Sequence, residues 1–87
     1  MKGSVYILQS IKRGTYYIGS SLDPLKRLNE HNNGTAIATR NKGPWVIVFS
    51  QQYQSIKKAR QIEYKLKKLK SRVIIERIIK DQIIRMK

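Results

Sequence analysis

The chain has 87 residues, which allows one small domain over residues 1–87 with a modest core and leaves no room for a second catalytic domain. Its 19 lysine and arginine residues against 5 acidic ones give a formal net charge of +14, which favours a polyanionic partner, and nucleic acid is the one we expect. The chain contains no cysteine, which excludes disulfides, cysteine-based zinc sites and thiol nucleophiles.

The sequence also argues against a membrane protein. No stretch approaches the ~20 apolar residues that a membrane-spanning helix needs, and the apolar run after the basic start is too short for a signal peptide. We therefore expect a cytoplasmic protein with no membrane partner. An anionic membrane surface is a weaker alternative partner, because the basic helices also carry apolar faces.

Two short β-prone runs open the chain, at residues 5–8 and 16–19, and the polar stretch between them contains Gly14. This pattern predicts a β-hairpin. Folded as a hairpin, the runs bring Tyr6 and Tyr17 side by side on one face of the sheet. A slip of one residue in the register would place the two phenols on opposite faces.

A helix is predicted to follow, because Asp23 is a good N-cap and the proline after it suits the first helical position. Leu25 and Leu28 are expected to face the core, and Gly34 to end the helix. After a polar loop, the apolar residues 45–49 are expected to form the central strand of a three-stranded antiparallel sheet.

Two further helices are predicted. The first begins at the cap Ser55 and carries apolar residues at helical spacing through Leu69, with a break expected at residues 70–72. The second has a broad apolar stripe, which we interpret as core packing, with a dimerisation face as the alternative. The predicted fold is α+β, in the order β-β-α-β-α-α, and a monomer is expected.

Arg27 and His31 lie four positions apart on the first helix and so project from the same face. A guanidinium binds phosphate as a planar fork, and a neighbouring imidazole can move a proton or bind phosphate. Taken alone, each has an ordinary explanation, a solvated arginine or a structural histidine.

Glu63 is the only acidic residue between Glu30 and Glu76, on a strongly basic helix. It adjoins the apolar stripe, so its side chain is expected at the boundary of the core. One such carboxylate can hold Mg²⁺, which completes its shell with water and substrate phosphate. The alternative is helix ion pairing with Lys58 or Lys67.

Taken in order, these features resemble the GIY-YIG nuclease domain, in particular its small stand-alone bacterial members. Residues 4–6, Ser-Val-Tyr, are similar to the first motif, and residues 17–19, Tyr-Ile-Gly, match the second letter for letter. The resemblance spans about residues 4–80 and continues through four further features: Arg27 with residues 31–34, residues 39–40, residues 44–45, and Glu63 in the metal position.

The resemblance implies hydrolysis of a phosphodiester bond with one divalent ion, Mg²⁺ or Mn²⁺, and no small-molecule cofactor. Glu63 would bind the ion, and Arg27 would neutralise charge on the scissile phosphate. Tyr6 would activate the attacking water or bind it, with Tyr17 beside it, and His31 would assist proton transfer. A tyrosine of ordinary pKa near 10 is a poor base at neutral pH, but in a site with Arg27, a metal ion and many lysines we expect the opposite charge to favour its phenolate.

One departure concerns an asparagine that many family members carry after the metal-binding helix. This chain has no asparagine after Asn41. Either another polar group takes its place or activity is reduced.

The sequence therefore predicts a metal-dependent endonuclease acting on duplex or branched DNA. The first alternative is a nucleic-acid-binding GIY-YIG domain with little or no cleavage, and the second is a structural or RNA-associated basic protein. Little sequence specificity is expected, because no element resembles a base-reading recognition helix. The residues expected to contact nucleic acid are Arg27, Arg40, Lys42, Lys57, Lys58, Lys65, Lys67 and Lys68.

Overall fold

Three strands and three helices build the protein, in a computed structural model that describes residues 1–35, 39 and 41–86. In chain order they are β1 (Gly3–Ser10), β2 (Tyr16–Ser21), α1 (Pro24–Asn32), β3 (Trp45–Tyr53), α2 (Ile56–Leu69) and α3 (Arg72–Asp81). The predicted fold class and the order β-β-α-β-α-α are confirmed. No helix within the described residues has both the length and the apolar character needed to cross a membrane.

The three strands form one antiparallel sheet in the order β2-β1-β3, so β1 is the central strand. The prediction that residues 45–49 form the central strand is wrong. Those residues are apolar because helices cover both faces of the sheet: Phe49 packs with the α2 and α3 side chains, while Trp45 packs with Tyr6 and Leu8. Burial of both faces does not require a strand to have neighbours at both edges.

The hairpin register confirms the predicted placement of the two tyrosines. Gly14 takes a positive φ of 72° in the connection, a conformation that glycine adopts without steric cost. Leu8 then lies opposite Tyr17, and Tyr6 lies opposite Gly19. Because side chains alternate along a strand, Tyr6 and Tyr17 are diagonal neighbours on the same face.

Two apolar clusters lie on opposite faces of the sheet, and each takes alternate residues of β1. On the face covered by α2 and α3, which we call the α2 face, the buried side chains are Val5, Ile7, Ile18, Phe49, Ala59, Ile62, Leu66, Ile78 and Ile84. On the face covered by α1, the α1 face, Tyr6, Leu8 and Trp45 are buried, with Tyr17, Leu28 and Ile47 packed against them.

Side-chain caps begin all three helices. The side chains of Asp23, Ser55 and Ser71 each accept a hydrogen bond from a backbone N–H three residues later, as good N-caps do. Between α2 and α3, Lys70 adopts the left-handed conformation with a φ of 50°. The predicted break at residues 70–72 is therefore confirmed, although neither glycine nor proline enforces it.

Two sequence-based expectations about the core are wrong in part. Leu25 is 67% exposed, because it lies in the first turn of α1 on the side turned away from the sheet. In the last apolar segment, Ile78 and Ile84 are buried, but Val73 and Ile83 are exposed, and α3 ends at Asp81 before the last two isoleucines.

Candidate active site

Tyr6 lies across Gly19, the glycine of the Tyr-Ile-Gly motif. A Cβ atom built on Gly19 would sit 2.5 Å from Cζ of Tyr6 and even closer to its hydroxyl oxygen. No side chain fits there while the ring keeps its place, so the glycine provides the space that lets the central-strand tyrosine extend across β2. The Tyr6 side chain is only 1% exposed.

His31 is buried between Tyr6 and Thr39, with a side chain that is 2% exposed. Its Nε2 atom lies 3.3 Å from the Tyr6 hydroxyl, and its Nδ1 atom lies 2.6 Å from Thr39 Oγ1. The Tyr17 ring packs against the imidazole, with 4.7 Å between ring centroids. α1 thus places His31 on the α1 face, beside the two motif tyrosines. Both ring nitrogens of His31 are within hydrogen-bond distance of a partner.

Arg27 approaches the same hydroxyl one helical turn before His31. Hydrogen bonding with Tyr6 is the main cause that raises the pKa of Arg27, and the nearby carboxylate of Glu30 adds to it. Glu30 also forms an ion pair with the Arg27 guanidinium. The expectation that Arg27 and His31 share one face is confirmed, and both contact Tyr6.

The electrostatics of Tyr6 differ from the sequence-based expectation. Burial raises the pKa of Tyr6 above its ordinary value, and the opposing effect of hydrogen bonding and charge from Arg27 does not overcome it. Positive charge from Arg27 does favour the phenolate, as expected, but burial has the larger effect on the pKa of Tyr6. The tyrosine is a neutral phenol at neutral pH, because removal from water penalises its charged form more than Arg27 stabilises it.

Burial also lowers the pKa of His31, and the positive charge of Arg27 lowers it further, so the imidazole is neutral at pH 7. The donors and acceptors around it then fix the direction of each hydrogen bond. Hydrogen bonding from Arg27 lowers the pKa of Tyr6, and a guanidinium offers only donors, so the arrangement that suits both neighbours has the Tyr6 hydroxyl donating to Nε2 of His31. A neutral imidazole that accepts at Nε2 carries its proton on Nδ1, which donates to Thr39.

Glu63 lies at the edge of β2, where α2 packs against the hairpin. Its side chain is 20% exposed, which confirms the expectation of a position at the core boundary. The hydroxyl of Ser20 donates to Oε1, and the Lys67 ammonium pairs with Oε2 at 2.6 Å. The Lys67 ammonium also lies 5.5 Å from the centroid of the Tyr17 ring.

This arrangement is compatible with a divalent ion. Within residues 1–35, 39 and 41–86, no three acidic or histidine side chains cluster, so a fully protein-coordinated site is not formed there. Mg²⁺ does not require one, because it commonly binds through one or two carboxylates and retains water. The ammonium beside Oε2 shows that a cation fits next to the Glu63 carboxylate, and Ser20 adds a second oxygen donor.

A cleft opens between the end of β2, α1 and the start of α2. Arg27 and Ser20 line it together with two cations that the sequence analysis did not single out, Lys26 and Arg60. Lys26 lies three residues after the helix cap Asp23, and Arg60 lies three residues before Glu63, so these two spacings were the available signals. The cleft thus carries three cations beside the carboxylates of Asp23 and Glu30, and its Ser20 hydroxyl donates to Glu63.

The other residues predicted to contact nucleic acid lie in different places. Lys57, Lys65 and Lys68 lie on the outward face of α2, around Tyr64, which is 65% exposed and has the Lys68 ammonium 5.7 Å from its ring centroid. Lys67 instead points to the cleft side, as described above. Lys58 is half-buried, Lys42 is exposed near the start of β3, and Arg40 lies outside the described residues.

Comparison with known proteins agrees with this geometry. The GIY-YIG catalytic domain matches residues 2–77, nearly the whole chain. The chain belongs to the GIY-YIG family. A relative with a solution NMR structure, the UPF0213 protein BH0048 from Bacillus halodurans, has 32% sequence identity and a TM-score of 0.57, over 92% of this chain and 84% of that one.

Among curated proteins, the UPF0213 protein of Aeromonas salmonicida (strain A449) is 35% identical over 79 residues, covering 90% of this chain and 57% of the relative. The structure-specific endonuclease subunit SLX1 of Vanderwaltozyma polyspora is 46% identical over 50 residues, covering 49% of this chain and 16% of the relative. The chain thus spans little more than half of the first of these relatives and a small part of the second.

Proposed function

We propose that the protein is a divalent-metal-dependent endonuclease that hydrolyses DNA phosphodiester bonds with little sequence specificity. The observations that support the proposal are three: Arg27 and Ser20 line one cleft, Ser20 donates to the Glu63 carboxylate, and the buried Tyr6 hydroxyl faces Nε2 of His31. Membership of the GIY-YIG family and similarity to structure-specific endonuclease subunits support it.

Glu63 and Ser20 are the groups that would hold one Mg²⁺ or Mn²⁺ ion. When bound, such an ion supplies charge stabilisation to the phosphoryl oxygens of the transition state. Ser20 also fits the role left open by the missing asparagine, because its hydroxyl already orients the carboxylate that would bind the ion.

Arg27 is the group that would grip the scissile phosphate. It lines the cleft, and its guanidinium has five donors, enough to bind two phosphoryl oxygens. In the free protein these donors are engaged by Tyr6 and Glu30. A phosphate anion would draw the guanidinium toward the cleft and so expose the Tyr6 hydroxyl to the attacking water.

Tyr6 would work as part of a proton path and not as a preformed phenolate. The attacking water gives a proton to the Tyr6 oxygen while Tyr6 passes its own proton to Nε2 of His31, 3.3 Å away. The water oxygen bonds to phosphorus, the bond to the leaving oxygen breaks, and that oxygen takes up a proton from the solvent. His31 then releases its proton, which restores the starting state. This path accommodates the raised pKa of Tyr6, because no free phenolate is required.

Tyr17 and Thr39 would act as positioning residues. The Tyr17 ring packs beside the imidazole. Thr39 accepts a hydrogen bond from the Nδ1–H group of His31, so Nε2 carries no proton and can act as an acceptor. Neither needs to touch the substrate for the proton path to operate.

The DNA backbone would be held by Lys26 and Arg60 in the cleft and by Lys57, Lys65 and Lys68 on the outward face of α2. Such contacts read charge and not base identity, so binding should be insensitive to sequence. The logarithm of affinity should fall linearly with the logarithm of salt concentration, with a slope of about −0.9 per phosphate neutralised on duplex DNA.

The test is cleavage of labelled duplex, branched and single-stranded DNA by wild type and Glu63→Gln, with Mg²⁺, Mn²⁺ or a chelator. We expect cutting that needs the ion and is lost in Glu63→Gln, while DNA affinity measured with the chelator present is retained. Wild-type cutting in the presence of chelator would contradict the metal requirement.

A second candidate function is nucleic-acid binding with little or no cleavage. The ion pair between Lys67 and Glu63 favours it, since the carboxylate that would bind the ion is already paired with a cation. Binding of DNA without cutting under every ion tested would select this function.

A further inference from the structure

Lys67 is placed where a metal ion would have to bind. Its ammonium lies 2.6 Å from Oε2 of Glu63, on the carboxylate oxygen that Ser20 does not use. The Tyr17 ring, 5.5 Å away, gives the same cation a second favourable contact. The Lys67 side chain is 48% exposed, so it can leave this position without disturbing the core.

An ordinary ion pair between residues four apart on a helix contributes little to stability, because water screens it. This pair differs from the others in its carboxylate, which is less exposed than those of Glu76 and Asp81 in the equivalent pairs with Arg72 and Arg85. It is also the carboxylate that accepts a hydrogen bond from Ser20, which lines the cleft. A divalent ion and an ammonium cannot share Oε2 without strong repulsion between the two cations.

We propose that Lys67 competes with the divalent ion for Glu63, and so sets the affinity of the site for that ion. In the free protein the ammonium holds the carboxylate, and the ion must displace it. The lysine thereby makes ion binding weaker than a carboxylate and a hydroxyl alone would make it. This inference rests on the proposed role of Glu63 as the metal ligand.

Mn²⁺ binding to the whole protein without DNA tests the inference directly, because electron paramagnetic resonance counts the free ion and needs no catalysis. We expect Lys67→Met to bind Mn²⁺ about fivefold more tightly than wild type, equivalent to about 1 kcal/mol. Lys67→Arg keeps the cation and should behave like wild type.

Lys68→Met is the matched control, since it removes the same charge from the neighbouring position on the outward face of α2. Equal tightening in Lys67→Met and Lys68→Met would overturn the inference and leave only a general charge effect. Glu63→Gln separates this failure from that of the proposed function. If it binds Mn²⁺ as well as wild type, then Glu63 is not the ligand; if it loses binding, the ligand assignment stands whatever Lys67 does.

Discussion

The central strand β1 contributes side chains to both faces of the sheet, and the two sets of side chains have different roles. Along β1, Val5 and Ile7 point to the α2 face and enter a cluster made only of apolar side chains. Tyr6, which lies between them, points to the α1 face and meets His31. The α2 face thus contributes mainly burial of apolar surface, with the polar pair of Ser20 and Glu63 at its β2 edge. The α1 face encloses polar groups that must all be hydrogen-bonded.

This difference matters because polar groups cost free energy when they are buried. On the α1 face, every buried side-chain nitrogen or oxygen in the described residues has a hydrogen-bond partner. A network of that kind holds its members in one arrangement, which a proton path needs and an apolar core does not provide. Substitutions on the two faces should therefore affect catalysis and stability in opposite proportions.

The largest expected effect is on catalysis from the α1 face. Tyr6→Phe removes one oxygen and keeps the ring over Gly19, so the cleavage rate should fall about 10³-fold, within the range for loss of a general acid–base group. Stability should fall by about 1–3 kcal/mol, because the buried Nε2 of His31 is left without its hydrogen-bond partner. Single-turnover cleavage and urea unfolding measure the two quantities. A rate close to that of wild type would exclude Tyr6 from the reaction.

The next largest effect is on stability from the α2 face. Ile62 is fully buried, and Ile62→Ala should lower the free energy of unfolding by about 2–5 kcal/mol through lost burial and the cavity left behind. Cleavage per folded molecule should stay within a few-fold of wild type. Urea unfolding gives the first value, and a rate corrected for the folded fraction gives the second. If the rate per folded molecule is still reduced after this correction, the α2 face also affects cleavage, which would contradict the proposed division between the two faces.

A smaller effect is expected from Thr39→Val, which keeps the side-chain shape but removes the oxygen that accepts from His31. The imidazole then loses its preference for the tautomer with a free Nε2, and the cleavage rate should fall about tenfold. Thr39→Ser should restore the rate. The tautomer can be read from imidazole nitrogen chemical shifts by NMR, and an unchanged tautomer in Thr39→Val would contradict this role.

The smallest effect is the dependence of stability on pH. Because the pKa of His31 is lowered in the folded protein, the unfolded chain binds the extra proton more readily. The contribution of His31 to the free energy of unfolding is complete above the ordinary histidine pKa of about 6.5. It is lost as pH falls through the lowered pKa of His31 in the folded protein. Urea unfolding at pH 7.5 and near pH 5.5 measures this. His31→Gln, compared over the same range, should show less dependence on pH.

Much of the fold was predictable because its signals are local. Asp23, Ser55 and Ser71 are N-caps within the sequence of their own helices, and the hairpin follows from Gly14 and the alternation on either side of it. The strand order was not predictable, because an apolar run indicates that both faces of a strand are buried. It does not indicate whether the two edges of that strand pair with other strands.

Within the site, the residues of the tyrosine and glutamate motifs were predictable, whereas their partners were not. Ser20 and Thr39 are common residue types whose roles depend on contacts with Glu63 and His31 across the fold. The raised pKa of Tyr6 also escaped prediction, because charge can be counted in a sequence while burial of one hydroxyl cannot.

The most direct test measures cleavage rate and free energy of unfolding on the same preparations of Tyr6→Phe and Ile62→Val. Ile62→Val is the milder α2-face change, expected to cost about 0.5–1.5 kcal/mol, which keeps the protein folded. The predicted result is a cleavage rate about 10³-fold below wild type in Tyr6→Phe and a rate within a few-fold of wild type in Ile62→Val, although the two variants lose similar amounts of stability. If both variants lose rate in proportion to stability, the division of chemistry and stability between the two faces is contradicted.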